Sequence, residues 1–312
     1  MKPEILVLVP IYAPTLAALE REYIVHKLWT ARDPEALVRD ISGRVRAAVT
    51  TGSSGMSSSL AEALPRLEII GCFGTPRGTV DVAAAKGRGV IVTNTPDSIT
   101  EDVADLAIGL IVAVMRRIAE ADRFVRAGRW LSGLLPPGTG LGDKTCGIIG
   151  LGAIGLRIAK RAEAFGMSVC YHGPRRKQGA AYAYYPELAS LARESDCLVV
   201  ACRSTPQTRS LVDARILAAL GPDGYLINIA RGPIVDEQAL VAALRERRIA
   251  GAGLDVFWDE PRVPAELAAM EQVVLAPHIG STTREIREER GVKLLANLRA
   301  HFSGQPALTP LT

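Results

Sequence analysis

The chain has 312 residues, of which 48% are hydrophobic and 5% aromatic, a composition typical of a globular protein with two domains, each large enough for its own core. Its 37 basic and 33 acidic residues leave a net charge of +4, too small a surplus to indicate nucleic acid or a membrane surface as a partner. A small anionic ligand fits this charge.

The cysteines and the N-terminus indicate the compartment. Five cysteines lie in or beside apolar runs without CxxC spacing, so we expect reduced core residues and no metal site. They are Cys72, Cys146, Cys170, Cys197 and Cys202. The start, MKPEILVLVP, contains no long apolar segment or small-residue cleavage site, and the apolar run at 106–115 is too short to span a bilayer. We therefore expect a cytoplasmic protein.

In the first third of the chain, short apolar runs alternate with segments of helical periodicity. The runs ILVLV at 5–9, RAAVT at 46–50, LEIIG at 67–71 and VIVTN at 90–94 are predicted strands, and this alternation predicts a parallel sheet. Ser98 and Glu101 then have capping-box spacing before an apolar-periodic segment. We predict one long helix to about Arg126, with Gly128 as its stop, and a domain boundary at its start.

A loop rich in Gly and Pro, GLLPPGTGLGD, leads into a second and more regular series. Its predicted strands are CGIIG, MSVCYH, CLVVAC, YLINIA, GAGLDVF and VVLAPHI. A closing helix is predicted over about 283–302 and is expected to pack on the first domain. The predicted fold class is therefore α/β, with two Rossmann-like doubly wound parallel-sheet domains.

The stretch GLGAIG has the GxGxxG spacing, follows the strand CGIIG and precedes a predicted helix that ends at Gly166. Gly150 would permit the tight turn, Gly152 would let the backbone approach a pyrophosphate, and Gly155 would let the helix pack closely. The N–H groups of Ala153 and Ile154 would face the phosphates. The alternative is a flexible βα turn without a ligand, but the context favours dinucleotide binding.

His172 ends the strand MSVCYH about twenty residues beyond the first glycine, where an acidic residue would bind the ribose 2′-hydroxyl of NAD. The chain has no acid there and continues with Gly173, Pro174, Arg175, Arg176 and Lys177. Because a charge-assisted hydrogen bond contributes about 1.5 to 3 kcal/mol, these donors favour the 2′-phosphate of NADP(H), with NAD(H) as the alternative cofactor. An ordinary solvated basic loop is the competing interpretation.

Polar residues follow three later strands. They are Arg231 in NIARGPIVDE, Asp255 and Glu260 in LDVFWDEP, and His278 in APHIGS. The carboxyl ends of the strands form the ligand crevice of a doubly wound sheet, so these side chains should converge where a nicotinamide ring would lie.

Through GLGAIG, INIARGPIVDEQAL, GAGLDVFWDEP and APHIGS, the chain resembles the D-isomer-specific 2-hydroxyacid dehydrogenases over nearly its whole length. Within that family it is most similar to NADPH-dependent glyoxylate and hydroxypyruvate reductases. The resemblance implies a discontinuous substrate domain over 1–98 and 285–312, a dinucleotide-binding domain over 99–284, an active-site cleft between the domains, and a homodimer.

The resemblance also implies roles for the matched residues. His278 would be the acid/base, Glu260 its carboxylate partner, and Arg231 the clamp for the substrate carboxylate and carbonyl. An imidazole that titrates near neutrality can deliver the proton a ketone oxygen needs, and a guanidinium grips a carboxylate bidentately.

Further cofactor contacts are predicted in the same domain, where the resemblance implies that Asp255 lies near the nicotinamide carboxamide. The residues are Cys202, Thr208, Ala230, Asp255 and Gly280.

The chain departs from the family at FGTPRGTVD, residues 73–81. Thr75 and Pro76 stand where relatives have a Val-Gly pair whose N–H groups bind the substrate carboxylate, and proline has no N–H. Arg77 would replace that contact, and Arg290 would add positive charge. We therefore predict Thr75 and Arg77 as substrate-binding residues beside Arg231 and His278, and a substrate larger or more anionic than glyoxylate. A loop shifted by one or two residues is the alternative.

The leading functional hypothesis is NADPH-dependent reduction of a small 2-ketoacid to the D-2-hydroxyacid. One alternative keeps the chemistry but changes the substrate to another D-2-hydroxyacid or a small oxyacid. Another is a dinucleotide-sensing binding protein, since this fold also serves transcriptional corepressors.

Overall fold

Two separate sheets of parallel strands organise the chain, which the computed structural model describes over residues 2–76, 78–96 and 99–312. The first unit contains Met1–Ser98 and Thr283–Thr312, and the second contains Ile99–Thr282. Arg77 and Ser98, predicted to lie in the substrate loop and in a capping box, fall outside the described residues.

The first unit has a five-stranded sheet in the order β2-β1-β3-β4-β5. Its elements are β1 (Glu4–Val7), α1 (Ala13–Glu22), β2 (Ile24–Lys27), α2 (Pro34–Ile41), β3 (Val45–Thr51), α3 (Ser58–Glu62), β4 (Ile69–Phe73), α4 (Val82–Gly87) and β5 (Ile91–Thr93). All five residues of β4 are buried, which is why this strand is a continuous apolar run.

The second unit has a seven-stranded sheet in the order β12-β11-β10-β9-β6-β7-β8. Its helices are α5 (Thr100–Met115), α6 (Ile118–Arg126), α7 (Ala153–Ala164), α8 (Leu188–Arg193), α9 (Ala214–Leu220), α10 (Glu237–Arg245) and α11 (Ala265–Ala269). Its strands are β6 (Thr145–Ile149), β7 (Ser168–His172), β8 (Ala183–Tyr185), β9 (Cys197–Val200), β10 (Tyr225–Asn228), β11 (Gly251–Leu254) and β12 (Val273–Leu275). The central strands β9, β10 and β11 are entirely buried.

The predicted fold class of two parallel-sheet α/β domains is confirmed, and each of the ten predicted strands is present. Two further strands, β2 and β8, were not predicted. Both are edge strands of three or four residues without a fully buried side chain, so neither has the apolar run that marks the central strands.

The prediction of one long helix to Arg126 is wrong, because α5 ends at Met115 and α6 starts at Ile118. The main-chain carbonyl of Met115 accepts a hydrogen bond from the Thr139 N–H at 2.7 Å instead of continuing the helical pattern. Arg117 takes a left-handed φ of 56° at the break. Thr139, far along the sequence, therefore satisfies a carbonyl that the end of α5 leaves free.

The final helix α12 (Arg284–Phe302) belongs to the first unit. Thr283 caps it by accepting a hydrogen bond from the Ile286 N–H. A Cβ at Gly71 of β4 would lie 2.5 Å from Leu294 Cδ1, so the absence of a side chain there lets α12 pack on the sheet.

All five cysteines are free thiols, and four of them are buried. Cys202 is only half-buried, which differs from the predicted core position. Across the described ranges, we find no helix with the length and apolar character needed to cross a bilayer.

Candidate active site

The glycine turn, residues 150–155, joins β6 to α7. Gly150 has a φ of +99°, and a Cβ on it would lie 2.7 Å from Cys202 Cα, so both backbone conformation and space require glycine. A Cβ on Gly155 would lie 2.2 Å from the Gly150 carbonyl oxygen. Protein contacts therefore explain both of these glycines.

Gly152 has a different environment. A Cβ there would meet no atom of the described chain within 4 Å, although Gly152 immediately precedes α7 and offers no side-chain cap. The N–H groups of Ala153 and Ile154 begin the helix, where the backbone favours an anion. Open space at Gly152 next to a helix N-terminus fits the approach of a dinucleotide pyrophosphate.

The basic turn, residues 173–177, follows β7. His172 ends that strand, and its Nδ1 lies 3.0 Å from the Tyr185 carbonyl oxygen on β8. Arg175 and Arg176 are exposed, and among the described residues neither guanidinium has a hydrogen-bond partner. The N–H groups of both guanidiniums are bound by no acceptor among the described residues and are therefore available to an anionic ligand.

Glu260 and His278 form a close pair. Nδ1 of His278 lies 2.6 Å from Oε2 of Glu260, whose Oε1 accepts a hydrogen bond from the Phe257 N–H at 3.1 Å. His278 has a left-handed φ of 54°, a conformation that non-glycine residues adopt mainly where function or packing imposes it. Because Nδ1 faces Glu260, the other ring nitrogen, Nε2, is available for proton exchange.

Asp255 follows β11 and holds the segment after His278. Its side chain is 2% exposed and accepts hydrogen bonds from the N–H groups of Ile279 at 2.7 Å and Gly280 at 2.9 Å. Burial raises the pKa of Asp255, and the two amide bonds oppose that shift. Gly280 therefore contacts Asp255 directly, a link that sequence reasoning did not anticipate.

Arg231 follows β10, and the buried side chain of Asn228 shapes its loop. Asn228 donates from Nδ2 to the Arg231 carbonyl and accepts at Oδ1 from the Ala230 N–H, both at 3.1 Å. A Cβ on Gly232 would lie 2.0 Å from the Phe257 carbonyl carbon, so this loop packs tightly on the segment that leads to Glu260. This role of Asn228 was not predicted because the residue lies within an otherwise apolar strand.

The other predicted cofactor residues lie in neighbouring loops. Cys202 follows β9 and touches the glycine turn. Thr208 accepts a hydrogen bond from the Thr205 N–H at 2.8 Å and donates to the Arg203 carbonyl at 2.9 Å, so it shapes the loop after β9. Ala230 contributes the amide bound by Asn228.

The parallel arrangement places these groups along one edge of the second unit's sheet. The loops that carry them follow β6, β7, β9, β10, β11 and β12, and the strands β6 to β12 are parallel neighbours. Because all follow carboxyl ends, the structure brings the predicted second-unit residues to the crevice position of a doubly wound sheet. In the described parts of the chain, no three His, Cys, Asp or Glu side chains lie close enough to hold a metal ion.

The predicted substrate loop lies in the first unit, after β4. The Gly74 N–H donates to the buried Thr95 Oγ1 at 2.7 Å, and Thr75 Oγ1 accepts from Asn94 Nδ2 at 3.3 Å. Pro76 follows without an N–H. Arg290 of α12 approaches this loop, because its guanidinium carbon lies 4.0 Å from a Cβ built on Gly74.

Comparison with known proteins identifies the relatives of this architecture. Residues 108–280 match the family model for the NAD-binding domain of D-isomer-specific 2-hydroxyacid dehydrogenases. The chain is 48% identical over 293 residues to glyoxylate/hydroxypyruvate reductase A of Arabidopsis thaliana and 47% identical over 293 residues to hydroxyphenylpyruvate reductase of Plectranthus scutellarioides, with 94% of each protein covered in both cases. The crystal structure of the NADPH-dependent glyoxylate/hydroxypyruvate reductase from Sinorhizobium meliloti, in complex with NADP and malonate, matches with a TM-score of 0.81 and 39% identity, covering 100% of this chain and 97% of that one.

Proposed function

The chain belongs to the D-isomer-specific 2-hydroxyacid dehydrogenase family, and we propose that it uses NADPH to reduce a small 2-ketoacid, such as glyoxylate or hydroxypyruvate, to the D-2-hydroxyacid. The observation that carries this proposal is the 2.6 Å pairing of His278 with Glu260 on the sheet edge that also bears Arg231 and the glycine turn. The relatives named as glyoxylate/hydroxypyruvate reductases support the substrate class.

In this proposal, His278 delivers the proton. Nε2 of the imidazolium protonates the ketone oxygen as the carbon is reduced, and Glu260 stabilises the positive ring through Nδ1 and fixes its orientation. The second bond of Glu260, from the Phe257 N–H, holds the carboxylate in place. The left-handed backbone of His278 and the Asp255 contacts that follow it keep the imidazole at the strand end.

Arg231 binds the substrate carboxylate and polarises the neighbouring carbonyl. A guanidinium can do both because its donors form a planar fork. Asn228 and Gly232 fix the backbone on both sides of Arg231, and Nη1 of Arg231 donates to the Ala230 carbonyl, a bond that substrate would have to compete with.

The second unit holds the cofactor. The amides of Ala153 and Ile154 bind the pyrophosphate across the open space at Gly152, and Arg175 with Arg176 binds the 2′-phosphate of NADPH. When bound, the reduced nicotinamide supplies the hydride. NADH is the weaker cofactor because the chain has no carboxylate at His172 for the ribose hydroxyls.

The first unit acts as the substrate domain. Thr75 and the Arg77 position bind the substrate, while Pro76 and the guanidinium of Arg290 beside Gly74 favour a substrate larger or more anionic than glyoxylate. The relative named hydroxyphenylpyruvate reductase gives this second candidate class, other 2-ketoacids, a specific basis.

We also propose a cytoplasmic homodimer. The segment 130–134 exposes Trp130, Leu131 and Leu134, which are 66%, 96% and 88% accessible, and apolar patches of this kind mark protein interfaces. Five free thiols fit a reducing compartment.

Following absorbance loss of NADPH and NADH with a panel of 2-ketoacids tests the function. We expect turnover of glyoxylate or hydroxypyruvate with NADPH preferred, and loss of that turnover in His278→Asn. If the protein binds NADPH but reduces no ketoacid, and if His278→Asn leaves NADPH binding unchanged, the result would support a dinucleotide-sensing protein instead. Equal use of both nucleotides would contradict the cofactor assignment.

A further inference from the structure

Two tyrosine hydroxyls hold the ends of the basic turn. Tyr171 is the penultimate residue of β7 and only 2% exposed, and its hydroxyl accepts a hydrogen bond from the Lys177 N–H at 2.7 Å. Tyr184 of β8 donates from its hydroxyl to the Gly173 carbonyl at 3.1 Å. These two bonds hold the first and last residues of the basic turn to β8 and β7.

The tyrosines act as one unit. Tyr171 and Tyr184 are direct partners in the parallel pairing of β7 with β8, and their ring centroids lie 5.3 Å apart. Tyr171 lies in the apolar core of the second unit, and the half-buried Tyr184 packs against that core. Because neighbouring aromatic rings stabilise one another beyond their area of contact, each ring restricts the position of the other hydroxyl.

A third bond links the basic turn to the glycine turn. The ammonium group of Lys177 donates to the Leu151 carbonyl at 3.0 Å. The turn is therefore tied to β8 and to the phosphate-binding segment, whereas the exposed guanidinium groups of Arg175 and Arg176 have no partner among the described residues.

We infer that Tyr171 and Tyr184 are positioning residues for cofactor selectivity, which hold the basic turn so that its arginines meet the 2′-phosphate of NADPH. This inference rests on the proposed function. The tyrosines themselves need not touch the cofactor.

The physical reason is preorganisation. A phosphate contact made by arginine depends on the alignment of its donors, and a loose turn would have to be ordered when the cofactor binds. Without the Tyr171 hydroxyl, the Lys177 N–H loses its acceptor, and the turn must shift to hydrate that group. Only the cofactor with a 2′-phosphate uses the arginines, so the loss should act on NADPH.

The test compares Tyr171→Phe and Tyr184→Phe with the matched control Tyr182→Phe. Tyr182 lies in the same segment, but its hydroxyl binds Glu163 outside the basic turn, at 3.1 Å. KM and kcat are measured with NADPH and NADH and a ketoacid that the native enzyme reduces. Removing either turn-binding hydroxyl should raise the ratio of KM for NADPH to KM for NADH by about three- to tenfold, the effect of one hydrogen bond, with kcat at saturating NADPH little changed.

The control should leave the ratio as in the native enzyme. An unchanged ratio in both turn variants, or the same rise in Tyr182→Phe, would overturn the inference. If Tyr171→Phe fails to fold, shown by loss of its cooperative thermal transition, Tyr184→Phe decides the matter because its half-buried ring tolerates the change.

Calorimetric titration with adenosine 2′,5′-bisphosphate and adenosine 5′-monophosphate separates this inference from the proposed function. If the native protein binds both nucleotides equally, the proposed NADPH selectivity fails. If the native protein prefers the bisphosphate and the two turn variants keep that preference in full, the selectivity stands and the role of the tyrosines fails.

Discussion

Nδ1 of His278 lies 2.6 Å from Oε2 of Glu260, and this contact orients the imidazole so that only Nε2 can exchange a proton with substrate. Replacing Glu260 with Gln keeps the size of the side chain but removes the charge that stabilises an imidazolium. We expect kcat to fall by about ten- to a hundredfold in Glu260→Gln and by about a hundred- to ten-thousandfold in His278→Asn, with KM for NADPH little changed. Steady-state kinetics on both variants check this. A Glu260→Gln enzyme with native kcat would exclude a role for the Glu260 charge, and a His278→Asn enzyme with native kcat would exclude His278 as the proton donor.

Substitutions at two residues of the glycine turn should affect different properties, stability in one case and NADPH binding in the other. Gly155→Ala places a Cβ 2.2 Å from the Gly150 carbonyl and should lower the free energy of unfolding by about 1 to 3 kcal/mol. Gly152→Ala enters open space and should leave stability within about 0.5 kcal/mol, yet weaken NADPH binding by filling the space the pyrophosphate needs. Thermal unfolding and fluorescence titration with NADPH measure the two effects. If Gly152→Ala binds NADPH with native affinity, the pyrophosphate does not occupy the space beside Gly152.

Local patterns predicted most of this architecture. Central strands are buried on both faces and therefore appear as apolar runs, and the spacing of Gly150, Gly152 and Gly155 carries both the turn and the helix start. The strand ends predicted that Arg231, Asp255 and His278 would lie along one edge, because parallel neighbours share a direction.

Features that depend on contacts between distant parts of the chain could not be predicted from the sequence. At the break after Met115, the freed carbonyl is bound by the Thr139 N–H, 24 positions along the chain, and no local pattern predicts that contact. Asn228 and Tyr171 occupy strand positions that suit any buried residue. Their hydrogen bonds to the loops that follow became visible only once the loops had a conformation.

The basic turn should distinguish the two nicotinamide cofactors. Arg175→Ala with Arg176→Ala removes the charged donors that have no protein partner in the described residues, so KM for NADPH should rise by about ten- to a hundredfold or more while KM for NADH changes far less. The exposed Arg66→Ala in the first unit controls for the loss of one positive charge away from the basic turn. Equal effects on both cofactors would show that the turn does not bind the 2′-phosphate.

The exposed apolar segment 130–134 should decide the oligomeric state. Leu131→Asp with Leu134→Asp puts two charges where an interface would bury apolar side chains, and we expect the mass measured by light scattering to fall from dimer to monomer at micromolar protein. Leu308→Asp, at a leucine of the first unit that is 64% exposed, is the control and should leave the mass unchanged. A native protein that is already monomeric would contradict the proposed dimer.

Asp255 should make stability depend on pH in an unusual direction. Burial raises its pKa above the ordinary 3.8, with the Ile279 and Gly280 amide bonds offsetting part of the rise, so the folded chain holds this proton to higher pH than the unfolded chain. The contribution of Asp255 to the free energy of unfolding is therefore complete below pH 3.8 and declines as the pH rises through the folded-state pKa. Asp255→Asn removes this titration, so the stability of the variant relative to the native protein should improve as the pH rises through that window.

Urea unfolding of both proteins at several pH values from about 4 to 7 measures the difference, and the exposed Asp223→Asn controls for the loss of one acidic group. A constant difference between Asp255→Asn and the native protein would mean that the buried carboxylate has the same proton affinity in both states, and that the two amide bonds balance the cost of burial.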